Sequence, residues 1–270
     1  MQARVESIHS LSPIQKDFLA GFLMDPERRA YLSQWIGFYS EPIDPARWKQ
    51  AWETLIQRHG ILRTAFDWEN PARPLQVVLT DVPVEIISHE IAEANTLADF
   101  RTAVEKFAES RYEKGIDIRK PPLMDFEVVT SSEWSAVIWT RHHLITDGWS
   151  LSRLYEEMLT RYADNSNKAE SFKEKTDYGS YLNALEPLLN QEDGRNYWQD
   201  YLATGSKRIY KTRTHRGEAV QGEANLTEAT MTSLREVSRT NRVTLNTLFL
   251  TTLADGLCRT LGLEQVCLGM

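Results

Sequence analysis

Apolar positions in this chain recur with two periods, and the switch between them marks where helices give way to strands. Trp48, Ala51, Trp52, Leu55, Ile56 and His59 fall at helical spacing, with Arg47, Lys49, Gln50 and Glu53 off the stripe, so one face of this segment is apolar and the other wetted. Asp44 followed by Pro45 supplies an N-cap acceptor and a first-turn proline, and Gly60 is the stop. Strands are predicted over 61–68 and 75–79, with Glu69-Asn70-Pro71 as the turn between them. A second helix is predicted over 97–112, its inner face built from Leu97, Phe100, Val104, Phe107 and Ala108, with Gly115 beyond its end. Segments 123–129 and 134–140 are short and rich in β-branched and aromatic residues, and the polar link 130–133 makes them a hairpin. A third helix follows Asp147-Gly148-Trp149-Ser150 and places Leu151, Leu154, Tyr155, Met158, Leu159 and Tyr162 on one side.

The polar stretch 163–170 has no periodicity and is the natural lobe boundary. Beyond it the pattern is mostly helical, over 178–189 and 196–202, interrupted at Pro187 and Gly194. The basic stretch 205–222 reads as a loop. Thr227, flanked by Leu226 and Met231, and Thr244, flanked by Val243 and Leu248, fit N-caps with hydrophobic staples. A strand is predicted to begin over 265–268, its continuation lying past Met270. Helices alternating with strands imply an α/β or α+β layered fold.

Composition narrows the function classes. The chain has 270 residues, enough for one large domain or two small ones, and 41% apolar and 26% charged residues are ordinary globular values. A net charge of -7 opposes phosphate backbones, so nucleic acid is not expected as a partner. The two cysteines, Cys258 and Cys267, form no disulfide framework or zinc knuckle and read as buried thiols. The N-terminal segment lacks the basic and apolar regions of a signal peptide, and no run of about 18 apolar residues suggests a membrane span. No membrane partner and a cytoplasmic, reducing location are therefore expected.

The segment Arg141-His142-His143-Leu144-Ile145-Thr146-Asp147-Gly148-Trp149-Ser150 lies where a predicted strand leaves its sheet and becomes a helix. Successive strand residues point to opposite faces, so one histidine would be catalytic and the other structural. An exposed imidazole here suits a general base, because its proton exchange lies near neutrality; a packing role with a satisfied hydrogen bond is the alternative. Two adjacent histidines with an aspartate four residues on lack metal-site spacing, so no metal is expected. Neither a G-x-S-x-G elbow, a Walker loop nor G-x-G-x-x-G occurs. A second feature is 58–66, RHGILRTAF, in which Arg63 would be expensive to bury without a carboxylate; Asp147 is the candidate partner. Arg58 and His59 read as helix capping and packing.

The segment HHLITDGWS resembles the HHxxxDG signature of condensation domains of nonribosomal peptide synthetases. Leu11-Ser12-Pro13-Ile14-Gln15 is similar to that family's opening motif, RHGILRTAF to its second, the helical segment from Asp177-Tyr178 to Tyr197-Trp198 to the one after the signature, and 243–269 to a helix and strand of the second lobe. The resemblance implies a chloramphenicol-acetyltransferase-like fold of two lobes with the active site in a tunnel between them. Residues 1–170 would be the N-terminal lobe, and 171–270 linker helices and an incomplete start of the C-terminal lobe, whose remainder would be a partner. It further implies amide-bond formation between a donor thioester and an acceptor aminoacyl thioester, both on 4'-phosphopantetheine arms of carrier protein domains, with no cofactor bound directly and neighbouring synthetase domains as partners. His143 is the implied catalytic residue. His142, Asp147, Gly148 and Arg63 are the implied scaffold, Arg63 pairing with Asp147 and Gly148 leaving room in the tunnel, with Trp149 and Ser150 along the tunnel. Rival readings within the same family are an epimerisation domain and a noncatalytic recruitment domain. A cyclisation variant would carry aspartates where these histidines stand.

Overall fold

The computed structural model describes residues 4–25, 27, 29–92, 94, 96–163, 177–189, 191–203 and 222–268. The chain divides into two compact units, Met1–Leu188 and Leu189–Met270.

The first unit is a layered α/β structure built from two sheets. Its chain order is β1 (Val5–Ser10), α1 (Pro13–Met24), β2 (Leu32–Tyr39), α2 (Pro45–Arg58), a 3-10 turn (Gly60–Arg63), β3 (Thr64–Asp67), β4 (Leu75–Leu79), β5 (Ile86–Glu90), α3 (Leu97–Lys114), β6 (Met124–Thr130), β7 (Ser135–His142), α4 (Gly148–Ala163) and α5 (Tyr178–Leu189). The large sheet runs β2-β7-β6-β5 and the small one β1-β4-β3. β6 and β7 are the predicted hairpin, paired antiparallel from Met124↔Arg141 to Thr130↔Ser135, and β2 lies on the other side of β7 with Leu32 opposite His142. Every residue of β7 is buried, as expected for a central strand covered on both faces.

The apolar stripe of α2 does what its spacing predicts. Asp44 Oδ1 accepts from the Ala46 and Arg47 amides at 2.9 and 3.2 Å, Pro45 takes the first helical position, and Trp48, Ala51, Trp52, Leu55 and Ile56 are all buried. The ring of Trp52 packs against Phe126 and Trp139 of the large sheet at 4.5 and 4.7 Å between centroids. Each such side chain contributes roughly 1.5–3 kcal/mol of apolar burial. On the opposite face of the sheet, Phe100, Val104 and Ala108 of α3 pack with Val129, Ala136 and Ile138.

Several local expectations are corrected. The strand expected over 61–68 starts only at Thr64, because the chain first closes a 3-10 turn from Gly60 that seats Leu62 and Arg63 in the interior. The third helix starts at Gly148, inside the segment read as its lead-in, because Asp147 supplies the cap. Pro187 lies within α5 without breaking it.

The second unit contains α6 (Glu192–Ala203), α7 (Glu228–Asn241) and α8 (Leu245–Leu261). Gly194 lies inside α6 and does not interrupt it. Thr227 and Thr244 are N-caps as predicted, each accepting from the amide three residues on, at 3.2 and 3.1 Å. The strand expected over 265–268 does not form, since among the described residues of this unit there is no strand for it to pair with. Cys258 is half-buried and Cys267 exposed, so the expectation of two buried thiols fails. The polar stretch from 164 and the basic loop up to 221 lie outside the described residues. No helix is long and apolar enough to cross a membrane, among the described residues.

Candidate active site

β7 ends at His142, and the chain then turns through residues 143–146 into α4. The alternation expected of the two histidines holds. His142 is fully buried, meets the Phe22 ring edge-on at 5.2 Å, and accepts the Leu144 amide at Nδ1 over 3.1 Å. Desolvation first, and the neighbouring His143 next, push its pKa down to about 4, with only the Ala30 backbone pulling the other way. His142 is thus a neutral ring of the interior.

His143 is half-buried and lies 5.9 Å from the ring of Phe18. Its amide donates to the Tyr31 carbonyl at 2.9 Å, which opens the turn in a fixed direction. Tyr31 holds φ +65, a left-handed conformation unusual for a bulky residue. The His143 Nδ1 lies 3.1 Å from the Thr146 carbonyl oxygen. A carbonyl can only accept, so Nδ1 carries a proton, and the tautomer this selects has its lone pair on Nε2.

Asp147 is exposed and caps α4. Its Oδ1 accepts from the Ser150 amide at 2.7 Å and the Ser150 hydroxyl at 2.8 Å, and its own amide donates to Ser150 Oγ at 2.8 Å. These bonds hold its carboxyl below the usual carboxylate range. Ser150 therefore belongs to the cap. Trp149 projects into solvent with 86% of its surface exposed. At Gly148 a Cβ would meet nothing within 4 Å, so the glycine borders open space. Tyr178 is close enough for Asp147 to raise its pKa, though burial is the larger cause, and its hydroxyl donates to Ser12 Oγ at 3.3 Å.

The expected Arg63–Asp147 ion pair does not form. Arg63 is buried, and its guanidinium is used up elsewhere: Nη1 pairs with Glu6 at 2.5 Å and also bonds the Leu79 carbonyl, Nε donates to the Ile56 carbonyl at 2.9 Å, and Nη2 to the Gln57 carbonyl at 3.4 Å. The physical reason is reach and competition. Arg63 lies beside the last turn of α2, whose carbonyls lack helical partners, while Asp147 satisfies itself with adjacent amides. Arg58 and His59 both bond Glu157 of α4, at 3.1 and 2.9 Å, and His59 is the C-cap of α2, the packing roles foreseen for them. A cavity of about 330 Å³ opens against Gly60, Ile61 and Thr64, with Glu6, His9, Gln76, Asp177 and Tyr178 also in its wall and no residue of the HHLITDGWS segment.

The supporting groups Phe18, Tyr31 and Phe22 were not foreseen from the sequence. Ser12-Pro13-Ile14-Gln15, a capping box with a first-turn proline, was the available signal for the helix that carries two of them.

Residues 5–270 match the family described as "Condensation domain". The chain belongs to the condensation-domain family. This condensation domain is 28% identical to bacitracin synthase 3 of Bacillus licheniformis over 279 residues, and 27% identical to tyrocidine synthase 2 of Brevibacillus parabrevis over 258 residues. Those alignments take in 99% and 92% of this chain, which spans only 4% and 7% of the two relatives' lengths. Among solved structures, the first condensation domain of the calcium-dependent antibiotic synthetase, in complex with a substrate analogue, superposes with a TM-score of 0.75 at 16% identity, over 97% of this chain and 63% of that one. The epimerization domain from the third module of tyrocidine synthetase B gives 0.65 at 20% identity, over 77% and 48%. At these identities the likeness establishes the shared, chloramphenicol-acetyltransferase-like fold.

Proposed function

We propose that this condensation domain joins a donor acyl or peptidyl thioester to an acceptor aminoacyl thioester, each delivered on the 4'-phosphopantetheine arm of a carrier domain, with His143 as its catalytic residue. The observation that carries this reading is the Nδ1 hydrogen bond to Thr146, which leaves the Nε2 lone pair of a half-exposed ring as a base. An α-amino group has a pKa of about 7.7–8.0, so near neutrality much of it is protonated and unreactive. A neutral Nε2 accepts the proton that the amine sheds as its nitrogen bonds the thioester carbon. The carbonyl oxygen becomes an oxyanion, and its collapse to the amide expels the donor's thiolate, which takes the proton back from Nε2, restores the base and leaves as the free thiol.

His142, buried and neutral beside it, would serve as scaffold by fixing the Leu144 amide, and Asp147 by starting α4. Gly148 and Trp149 would border the substrate path, and Arg63 would brace the base of α2. Residues 1–170 would form the N-terminal lobe and 171–270 the linker helices and start of the second. By the names of its relatives the domain would work within a peptide antibiotic synthetase, alongside neighbouring domains.

The test is to load donor and acceptor carrier domains, supply this domain within its synthetase, and follow products by mass spectrometry. Amide product that disappears in His143→Ala, with carrier binding intact, is expected. Deuterium washout at the donor α-carbon without amide would make the domain an epimerase, the activity named for one structural relative. Carrier binding with neither reaction would make it a recruitment domain.

A further inference from the structure

We infer that Gln15 is a positioning residue for His143, holding the turn that aims its ring. The inference rests on the reading of His143 as the base and goes beyond it, since the opening motif Leu11-Ser12-Pro13-Ile14-Gln15 has no part in that chemistry.

α1 meets the histidine turn with one face. Gln15, Phe18 and Phe22 stand at i, i+3 and i+7, a single stripe of a helix. Phe22 packs on His142, and Phe18 packs on both His143 and Tyr31, the latter at 4.6 Å. These ring contacts fill space without fixing direction. Gln15 fixes direction: its Nε2 donates to the Leu144 carbonyl at 3.1 Å, in the middle of the turn.

The other end of the same amide is anchored. Gln15 Oε1 accepts from the Ser12 amide at 3.0 Å and from Gln76 Nε2 at 3.1 Å, and Gln76 Nε2 also donates to the Ser10 carbonyl at 2.8 Å. Ser12, Gln15 and Gln76 are 2%, 3% and 1% exposed. No water reaches these groups to replace a lost bond, so sliding the Leu144 carbonyl would strand a donor and an acceptor in the interior. The turn is thereby held along its length: at its entry by the Tyr31 carbonyl on the His143 amide, in its middle by His142 on the Leu144 amide and Gln15 on the Leu144 carbonyl, and at its exit by the cap of Asp147 on α4. The His143 ring bonds Thr146, across the span that Gln15 holds.

The amide is specifically required. In Gln15→Glu the carboxylate still accepts from Ser12, preserving the cap of α1, yet turns a lone pair instead of an N–H toward Leu144. The experiment is nitrogen-15 NMR of the His143 ring in the full chain, with turnover by the domain within its synthetase on loaded carriers, for wild type, Gln15→Glu and Gln15→Met. The methionine variant keeps the side-chain length without polar atoms and supplies the same two readouts should the glutamate variant fold poorly. Expected are loss of the single Nδ1–H signature of His143 in favour of averaged tautomers, and a fall in kcat on the order of tenfold to a hundredfold with KM little changed. A folded variant that retains both the wild-type ring signature and wild-type kcat overturns the inference. Full turnover in His143→Ala would instead sink the reading of His143 as base, and the ring signature would still decide whether Gln15 positions it.

Discussion

The turn at Gly60–Arg63 and the turn at 143–146 both bring polar side chains into the interior at the end of a regular element, and they do so by opposite chemistry. The first buries a permanent cation and surrounds it with oxygen: three main-chain carbonyls and the half-exposed carboxylate of Glu6. The second follows directly on a buried neutral imidazole, His142, and is held by main-chain bonds, the Gln15 side-chain amide and the Asp147 cap. A guanidinium stays charged at any accessible pH and must be clamped, whereas an imidazole can shed its charge. The cationic turn therefore reads as a brace, and the neutral turn as the mount of a second, half-buried ring, the one proposed above as the base.

The sharpest way to break this contrast is Arg63→Met, which strands three carbonyls and should destabilise the first unit by about 2–4 kcal/mol in denaturant unfolding. A double-mutant cycle with Asp147→Asn should give coupling below about 0.5 kcal/mol, whereas a cycle with Glu6→Gln should give a measurable term of up to about 1 kcal/mol. Larger coupling to Asp147 would restore the ion pair that the structure lacks.

Next in size is the acid limb of stability. The folded pKa of His142 is lowered from 6.5 to about 4, so the unfolded chain binds this proton first. Stability should be fully present above the unfolded pKa and decline as pH falls from 6.5 toward 4, with a slope of at most about 1.4 kcal/mol per pH unit. His142→Gln should flatten that limb; an unchanged limb would show that another group causes it. The smallest effect belongs to the cap. Asp147→Ala should destabilise by about 1 kcal/mol, and because the folded carboxyl is depressed, this contribution is present above its unfolded pKa and vanishes as pH falls through the folded value.

What could be foreseen followed interactions that are local in the chain. The stripe of α2, the β6–β7 hairpin and the caps at Asp44, Thr227 and Thr244 all depend on neighbours within a few residues, and each formed as predicted. β1, β2 and β5 were missed because their pairing partners are distant, β2 lying against a strand about a hundred residues on. For the site, strand alternation foretold that the two histidines would differ, and the family resemblance pointed to His143 as the more accessible one. The partner of Arg63 could not, since the need for counter-charge is visible in one residue and the geometry that satisfies it lies in three other elements. Gln15 was equally hidden: its bond to Leu144 spans 129 positions.

The central claim is that the turn fixes the His143 proton on Nδ1, against the Thr146 carbonyl. Long-range proton–nitrogen correlation NMR on the chain labelled at histidine, near neutral pH, tests it directly. The account predicts a His143 pattern with a protonated Nδ1 and a pyridine-like Nε2; a proton on Nε2, or rapid averaging between both nitrogens, would contradict it.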